Sequence, residues 1–135
     1  MGRNLDVSLQ LFRKGTVILI PEVKFKDGVS KPKYAILLED TDSLYKNGTI
    51  TACLTTSRKF KTLKSWFVVT SAEIFGKPKE EMTTIDCLNR LALTAKQIEK
   101  CRFMSYLPEE IWDEVEEANL FAEFYLSEAK KLVAR

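Results

Sequence analysis

Apolar and polar positions first arrange themselves in short β-branched runs cut by turn signals, and later shift to a helical period. Lys14-Gly15 opens the run Thr16-Val17-Ile18-Leu19-Ile20, closed by Pro21, which predicts a buried first strand. Pro21 to Pro32 is basic, with Lys24, Lys26 and Lys31 around an Asp27-Gly28 pair suited to a tight turn, and reads as a loop or hairpin tip. Lys33 to Leu38 forms a second apolar strand, ended by Glu39-Asp40-Thr41-Asp42. The turn pair Asn47-Gly48 leads into a third strand, Thr49 to Thr56. Ser57 to Ser65 places Arg58, Lys59, Lys61 and Lys64 around Phe60, the composition of an exposed loop. Trp66 to Thr70 and, after Gly76-Lys77-Pro78-Lys79, Thr83 to Leu88 read as two further strands.

From Leu107 the period changes. Pro108 suits a first helical position, Glu109 and Glu110 favour the positive end of the dipole, and Ile111, Val115, Ala118, Ala122 and Tyr125 recur at spacings of three and four. That stripe predicts a C-terminal helix over 108–131 lying on the sheet. Short strands followed by a helix give an α+β, mainly β class, built as a twisted antiparallel sheet or small barrel. With no repeat and no linker, residues 1–135 are expected to form a single domain behind an N-terminal arm over 1–13.

Composition narrows the chemistry. At 135 residues the chain can bury roughly two-thirds of its unfolded surface, so it needs no staple. The sequence has no histidine, which removes His-based nucleophile systems and most zinc sites. Five scattered glycines form neither GxGxxG nor a Walker pattern, so neither a nucleotide cofactor nor a metal is expected. Cys53, Cys87 and Cys101 stand 34 and 14 residues apart with no CxxC pair, the usage of a reducing compartment; Cys53 and Cys87 read as small core residues. No signal peptide and no span long enough for a bilayer are visible, which points to the cytoplasm and away from a membrane. Net charge is +2, unevenly placed: residues 1–79 carry 14 Lys/Arg against 7 Asp/Glu, residues 80–135 carry 7 against 12. A basic body with an acidic tail segment suits an anionic partner, or simply solvated lysines on strand edges.

Three small clusters could carry chemistry. Asp86, flanked by Ile85, Cys87 and Leu88, is a carboxylate in an apolar strand, costly to bury unless paired. It serves either as a functional acid or in a structural role, as an ion pair to Arg90 or a strand-end cap. Thr55, Thr56 and Ser57 end the third strand, where their hydroxyls either cap a turn or hold a phosphate. Lys31 and Lys33 precede the second strand's apolar core and by default face solvent. The loop Arg58, Lys59, Phe60, Lys61 joins charge to an aromatic face, as single-stranded nucleic-acid binders do.

The order of these pieces resembles the MazF/PemK/Kid family of toxins, over about residues 14 to 120. The resemblance rests on Lys14 to Ile20, Lys33 to Leu38, Thr51 to Ser57, Thr83 to Arg90 and the late Leu107-Pro108-Glu109-Glu110 helix. In that family the first strand follows a Gly, the second begins Arg-Pro-Ala, the third ends in Thr-Ser, and a later strand carries Asp in an Asp-Gln-x-Arg context. The resemblance implies a small SH3-like twisted antiparallel barrel with a C-terminal helix. It implies a homodimer that cuts single-stranded RNA without metal by 2′-OH attack and is neutralised by a protein antitoxin.

Carried over by position, Lys33 stands at the strand-two Arg, Thr56 and Ser57 at the Thr-Ser pair, Asp86 at the acid and Arg90 at the following Arg. Asp86, Lys33, Arg90 and Thr56 are then the implied catalytic set. Ser57, Lys31, Arg58, Lys59, Phe60 and Lys61 are the implied substrate contacts. The chain departs from the pattern at Lys33, where lysine supplies a point charge in place of a bidentate fork, at Tyr34 in place of Pro, and at Thr84, where some members carry an Arg. Two alternatives remain open: a relative with weakened catalysis that acts as an RNA- or protein-binding module, and a gyrase-inhibitor-type toxin of the same fold.

Overall fold

The β-branched runs pair into one antiparallel sheet. The computed structural model describes residues 12–134. Its strands are β1 (Thr16–Lys24), β2 (Ser30–Leu37), β3 (Ile50–Thr56), β4 (Phe67–Ser71), β5 (Met82–Leu93) and β6 (Arg102–Tyr106). They lie in the order β4-β5-β3-β2-β1-β6 and curl into a half-barrel. Short helices α1 (Asp42–Asn47) and α2 (Ala95–Lys100) and a 3-10 turn (Ala72–Phe75) fill the connections, and α3 (Glu109–Ala134) closes the chain.

Two strands run further than the sequence suggests. β1 passes through Pro21 to Lys24, because the register with β2 shifts between Ile20 and Val23 and so asks no ladder hydrogen bond of the proline. β5 continues beyond Leu88 to Leu93: its register with β3 jumps between the pairs Leu54–Asp86 and Cys53–Arg90, leaving residues 87–89 as a bulge. β6, α1, α2 and the 3-10 turn are elements that the apolar pattern does not predict.

Alternation places the core on both faces of the sheet. On the inner face Ile18, Ile20, Ala35, Leu37, Ile50, Ala52 and Leu54 meet Ile98 of α2. On the outer face Val17, Ile36, Cys53, Ile85 and Cys87 pack under Val115, Ala118 and Ala122 of α3, the stripe the sequence predicts. Tyr125, the last residue of that stripe, is about half exposed, but its ring meets Trp66 at 4.9 Å. Of the expected N-terminal arm, residues 1–11 lie outside the described residues. Phe12 is not an arm residue: it is buried in the inner core, edge-on to Phe103.

Gly15 joins the start of β1 to the start of α3. Its φ of 87° is one that L side chains rarely adopt, its N–H donates to Leu37 O at 2.8 Å, and its carbonyl accepts from Leu107 N at 2.9 Å. A Cβ there would sit 3.4 Å from the Trp112 ring.

Candidate active site

Register decides which polar groups share a face. Ala35, Leu54, Asp86 and Phe67 form one cross-strand row on the inner face, and Thr56, Thr84 and Val69 form the next. Continuing the β2–β3 register by two pairs beyond Ala35–Leu54 sets Lys33 opposite Thr56. At such spacings direct neighbours stand about 5 Å apart and diagonal ones about 7–8 Å, which puts Thr56 close to both Lys33 and Asp86, while Lys33 and Asp86 themselves stand on strands separated by β3. Lys33, Thr56, Thr84 and Asp86 therefore gather where the apolar inner core gives way to solvent.

Each side chain is set by its neighbours. Lys33 is half-buried, with Nζ 3.4 Å from the Thr55 carbonyl and 5.7 Å from the Phe25 ring centre, so the ammonium is held at the strand end instead of trailing into solvent. Lys31 is exposed one alternation further out, opposite Val23. Asp86 is half-buried and its Oδ1 accepts the Leu88 N–H at 3.0 Å, an Asx-type cap at the bulge. Thr56 Oγ1 accepts the Arg58 N–H at 3.1 Å and its carbonyl accepts from Thr83 Oγ1 at 3.2 Å, fixing the exit of β3 into the basic loop.

Arg90 stands apart from this group. Its pairing with Cys53 puts it on the outer face, beneath α3. Nε donates to Cys87 O at 2.8 Å, the guanidinium donates to the Asn119 side chain, and it lies 3.8 Å from Glu123. The ion pair to Asp86 considered from sequence is thus replaced by a clamp on the helix. The bulge at 87–89, invisible in the residue pattern, turns Arg90 away from the carboxylate four positions earlier.

Tyr34 also points outward and stacks on Phe75 at 4.1 Å with rings 5° apart, so its ring is absorbed by the 3-10 turn.

Beyond Thr56 the loop forms one wall of an open groove of about 760 Å³. Arg58 lies 5.5 Å over the Phe60 ring, and Phe60 packs on Phe67 at 4.6 Å. Ser57, Lys59 and Lys61 line the same wall and are exposed. Val69, Glu80, Glu81, Met82 and Thr84 also line the groove, most of which sequence reasoning missed. Alternation along β5 from Asp86 back through Thr84 to Met82 was the available signal.

The cysteines stay in the core. Cys53 and Cys87 are buried under α3, and a thiol–thiol hydrogen bond pushes the Cys53 pKa up and draws that of Cys87 down. Burial raises Cys101 to about 11.

No family model matches the chain, and no curated protein matches it in sequence. Solved structures do. A MazE-MazF complex from Deinococcus radiodurans superposes with a TM-score of 0.60 at 16% identity, covering 81% of this chain and 92% of that one. The chain has the fold of the MazF toxins. A MazF from the same organism covers 92% of its length with a TM-score of 0.54 at 17% identity over 80% of this chain. A mycobacterial endoribonuclease, in complex with its cognate antitoxin, gives 0.55 at 11% identity, covering 82% of this chain and 93% of its own. The MazF fold thus accounts for the half-barrel and the helix across it.

Proposed function

We propose that this chain is the endoribonuclease toxin of a toxin–antitoxin pair, acting in the cytoplasm as a homodimer on single-stranded RNA. The observation that carries the reading is the convergence of Asp86, Lys33 and Thr56 on one face beside a basic, aromatic groove, within a MazF fold. Asp86, with one oxygen committed to the Leu88 N–H, offers the other to a ribose 2′-OH. As the 2′-oxygen attacks the adjacent phosphorus, its proton passes to Asp86 and the P–O5′ bond breaks. The Lys33 ammonium offsets the charge of the phosphorane, and the proton taken up by Asp86 passes to the departing O5′. Products are a 2′,3′-cyclic phosphate and a 5′-OH, and the scheme draws on no metal. Thr56 and Ser57 place the phosphate, and Arg58, Lys59, Phe60, Lys61 and Lys31 hold the strand.

Arg90 enters this scheme only as the tie between β5 and α3. Solved structures of the same fold that include a MazE or a cognate antitoxin support a protein antitoxin as the second partner. The test compares single-turnover cleavage of a long single-stranded RNA by the parent, Asp86→Asn and Arg90→Ala. We expect no cleavage from Asp86→Asn with its circular dichroism unchanged, and cleavage retained by Arg90→Ala below its melting temperature. Undiminished cutting by Asp86→Asn would remove the carboxylate from the reaction.

A further inference from the structure

Cys53 and Cys87 are buried thiols with no part in the proposed reaction. The register that pairs Thr56 with Thr84, Thr55 with Ile85 and Leu54 with Asp86 reaches Cys53 and Cys87 at its next step, where the bulge begins. Both side chains lie on the outer face beneath α3, with Cys87 Sγ 3.9 Å from Val115 O. The Cys87 N–H donates to Trp66 O at 3.1 Å, away from β3, so Cys53 and Cys87 face each other as a non-hydrogen-bonded pair. That is the closer kind of cross-strand pair, with Cα atoms ideally about 4.5 Å apart, inside the roughly 4.4–6.8 Å that a disulfide spans. The two thiols already share a hydrogen bond, Cys53 donating. Cys101 lies apart in the inner core, its thiol donating to Gln97 O at 3.2 Å.

We propose that Cys53 and Cys87 form a redox site, a dithiol that a small hydroperoxide such as hydrogen peroxide converts to a cross-strand disulfide. The Cys53 hydrogen bond, with the Arg90 guanidinium nearby, draws the Cys87 pKa down and makes Cys87 the sulfur that reacts. Its thiolate attacks one peroxide oxygen, the O–O bond breaks, and the hydroxide released takes up the proton Cys87 gave up, leaving a sulfenic acid. The Cys53 sulfur then displaces the sulfenic hydroxyl: the S–S bond forms, the S–O bond breaks, and the Cys53 proton leaves with that oxygen as water. The two sulfurs lose two electrons and the peroxide becomes two waters.

Size sets the class of oxidant. Both thiols are fully buried, which shuts out a bulky disulfide such as oxidised glutathione. Arg90, paired with Cys53 beyond the bulge, lines a recess of about 60 Å³ with Leu38, Thr51 and Asn119, room for one molecule of peroxide size. On the ribonuclease reading, the bond reaches the reaction. Cys87 stands between Asp86 and Leu88, and the Leu88 N–H holds Asp86 Oδ1 at 3.0 Å. Drawing Cys87 toward β3 displaces both ends of that hydrogen bond, and a shift of about 1 Å at a reacting group costs on the order of 10²-fold in rate.

The test treats the folded chain with hydrogen peroxide, quenches it, alkylates it in urea and reads the intact mass and the tryptic peptides. We expect the loss of two hydrogen atoms, alkylation of Cys101 alone, and peptide 47–58 joined to peptide 80–90; dithiothreitol should return all three cysteines to the alkylated form. Oxidised glutathione should leave the mass unchanged. Cleavage of single-stranded RNA by the same samples should fall at least about tenfold with the bond and recover on reduction, in the parent and in Cys101→Ala alike. Three alkylated cysteines after peroxide, a bond to Cys101, or a sulfinic acid at Cys87 without the bond would overturn the dithiol site, whatever the cleavage assay reads. The bond formed with cutting unchanged would overturn its effect on Asp86. A chain that forms the bond yet cuts no RNA even when reduced would overturn the ribonuclease reading and leave the dithiol site standing.

Discussion

Lys33 and Arg90 carry the same charge, yet their surroundings assign them different work. Lys33 holds its ammonium at the open strand end, so Lys33→Ala removes the cation facing the developing phosphorane and should lower single-turnover cleavage about 10²- to 10³-fold, with little change in melting temperature. Lys33→Arg should retain cutting, since a guanidinium offers the same charge with two donors. A fall as large in Lys33→Arg would show that the lysine matters as a proton donor and not as a charge. Arg90→Ala leaves the Cys87 carbonyl and the Asn119 side chain without their partner, and should cost about 1–3 kcal/mol in urea unfolding. Cys101 supplies a pH signature: its thiol titrates near 9.0 when exposed and about 11 in the fold, so the folded form favours the neutral thiol. Stability from this group is complete below about pH 9 and is lost as pH climbs to about 11, a decline that Cys101→Ala should flatten in urea titrations at pH 8 and 10.5.

At the scale of elements, the junction of β1 with α3 is the most sensitive point. Gly15→Ala forces an L side chain into a left-handed conformation beside Trp112, and about 1–2 kcal/mol of stability should be lost, read as a lower urea midpoint at unchanged slope. The positions that predict β1 to β5 and the α3 stripe were legible because β-branched runs and three–four spacing report directly on one-sided burial. The connecting pieces were not. α2 announces itself only by the capping box of Thr94 and Gln97, a six-residue helix too short for a period to emerge. β6 is an edge strand with half-buried residues, so its alternation is weak. The same limit applies to the site. Asp86, Lys33 and Thr56 were readable as residue types in order, whereas the bulge that sends Arg90 to the other face arises from pairing between distant strands. The rest of the groove lining was hidden for the same reason, since Glu80 and Glu81 come to line one groove with Lys59 and Lys61 only in the folded sheet.

For the whole molecule, the uneven charge acquires a layout. The cations of the loop after β3 border the groove on the inner face, while the carboxylates of α3 ride on the helix that covers the outer face. RNA approaching from the inner side meets the basic wall without crossing the acidic helix, so binding should weaken steeply with added salt, and Arg58→Ala with Lys61→Ala should flatten that slope. The half-barrel, the polar group at its open edge and the flanking groove are the features on which the proposed RNA-cutting function rests. The most direct test incubates the protein with a long single-stranded RNA in EDTA and maps the new ends. Discrete cuts that carry 5′-OH and cyclic-phosphate termini, absent with Asp86→Asn, are the predicted result. Cuts that require a divalent cation, leave 5′-phosphates or persist in Asp86→Asn would contradict the account.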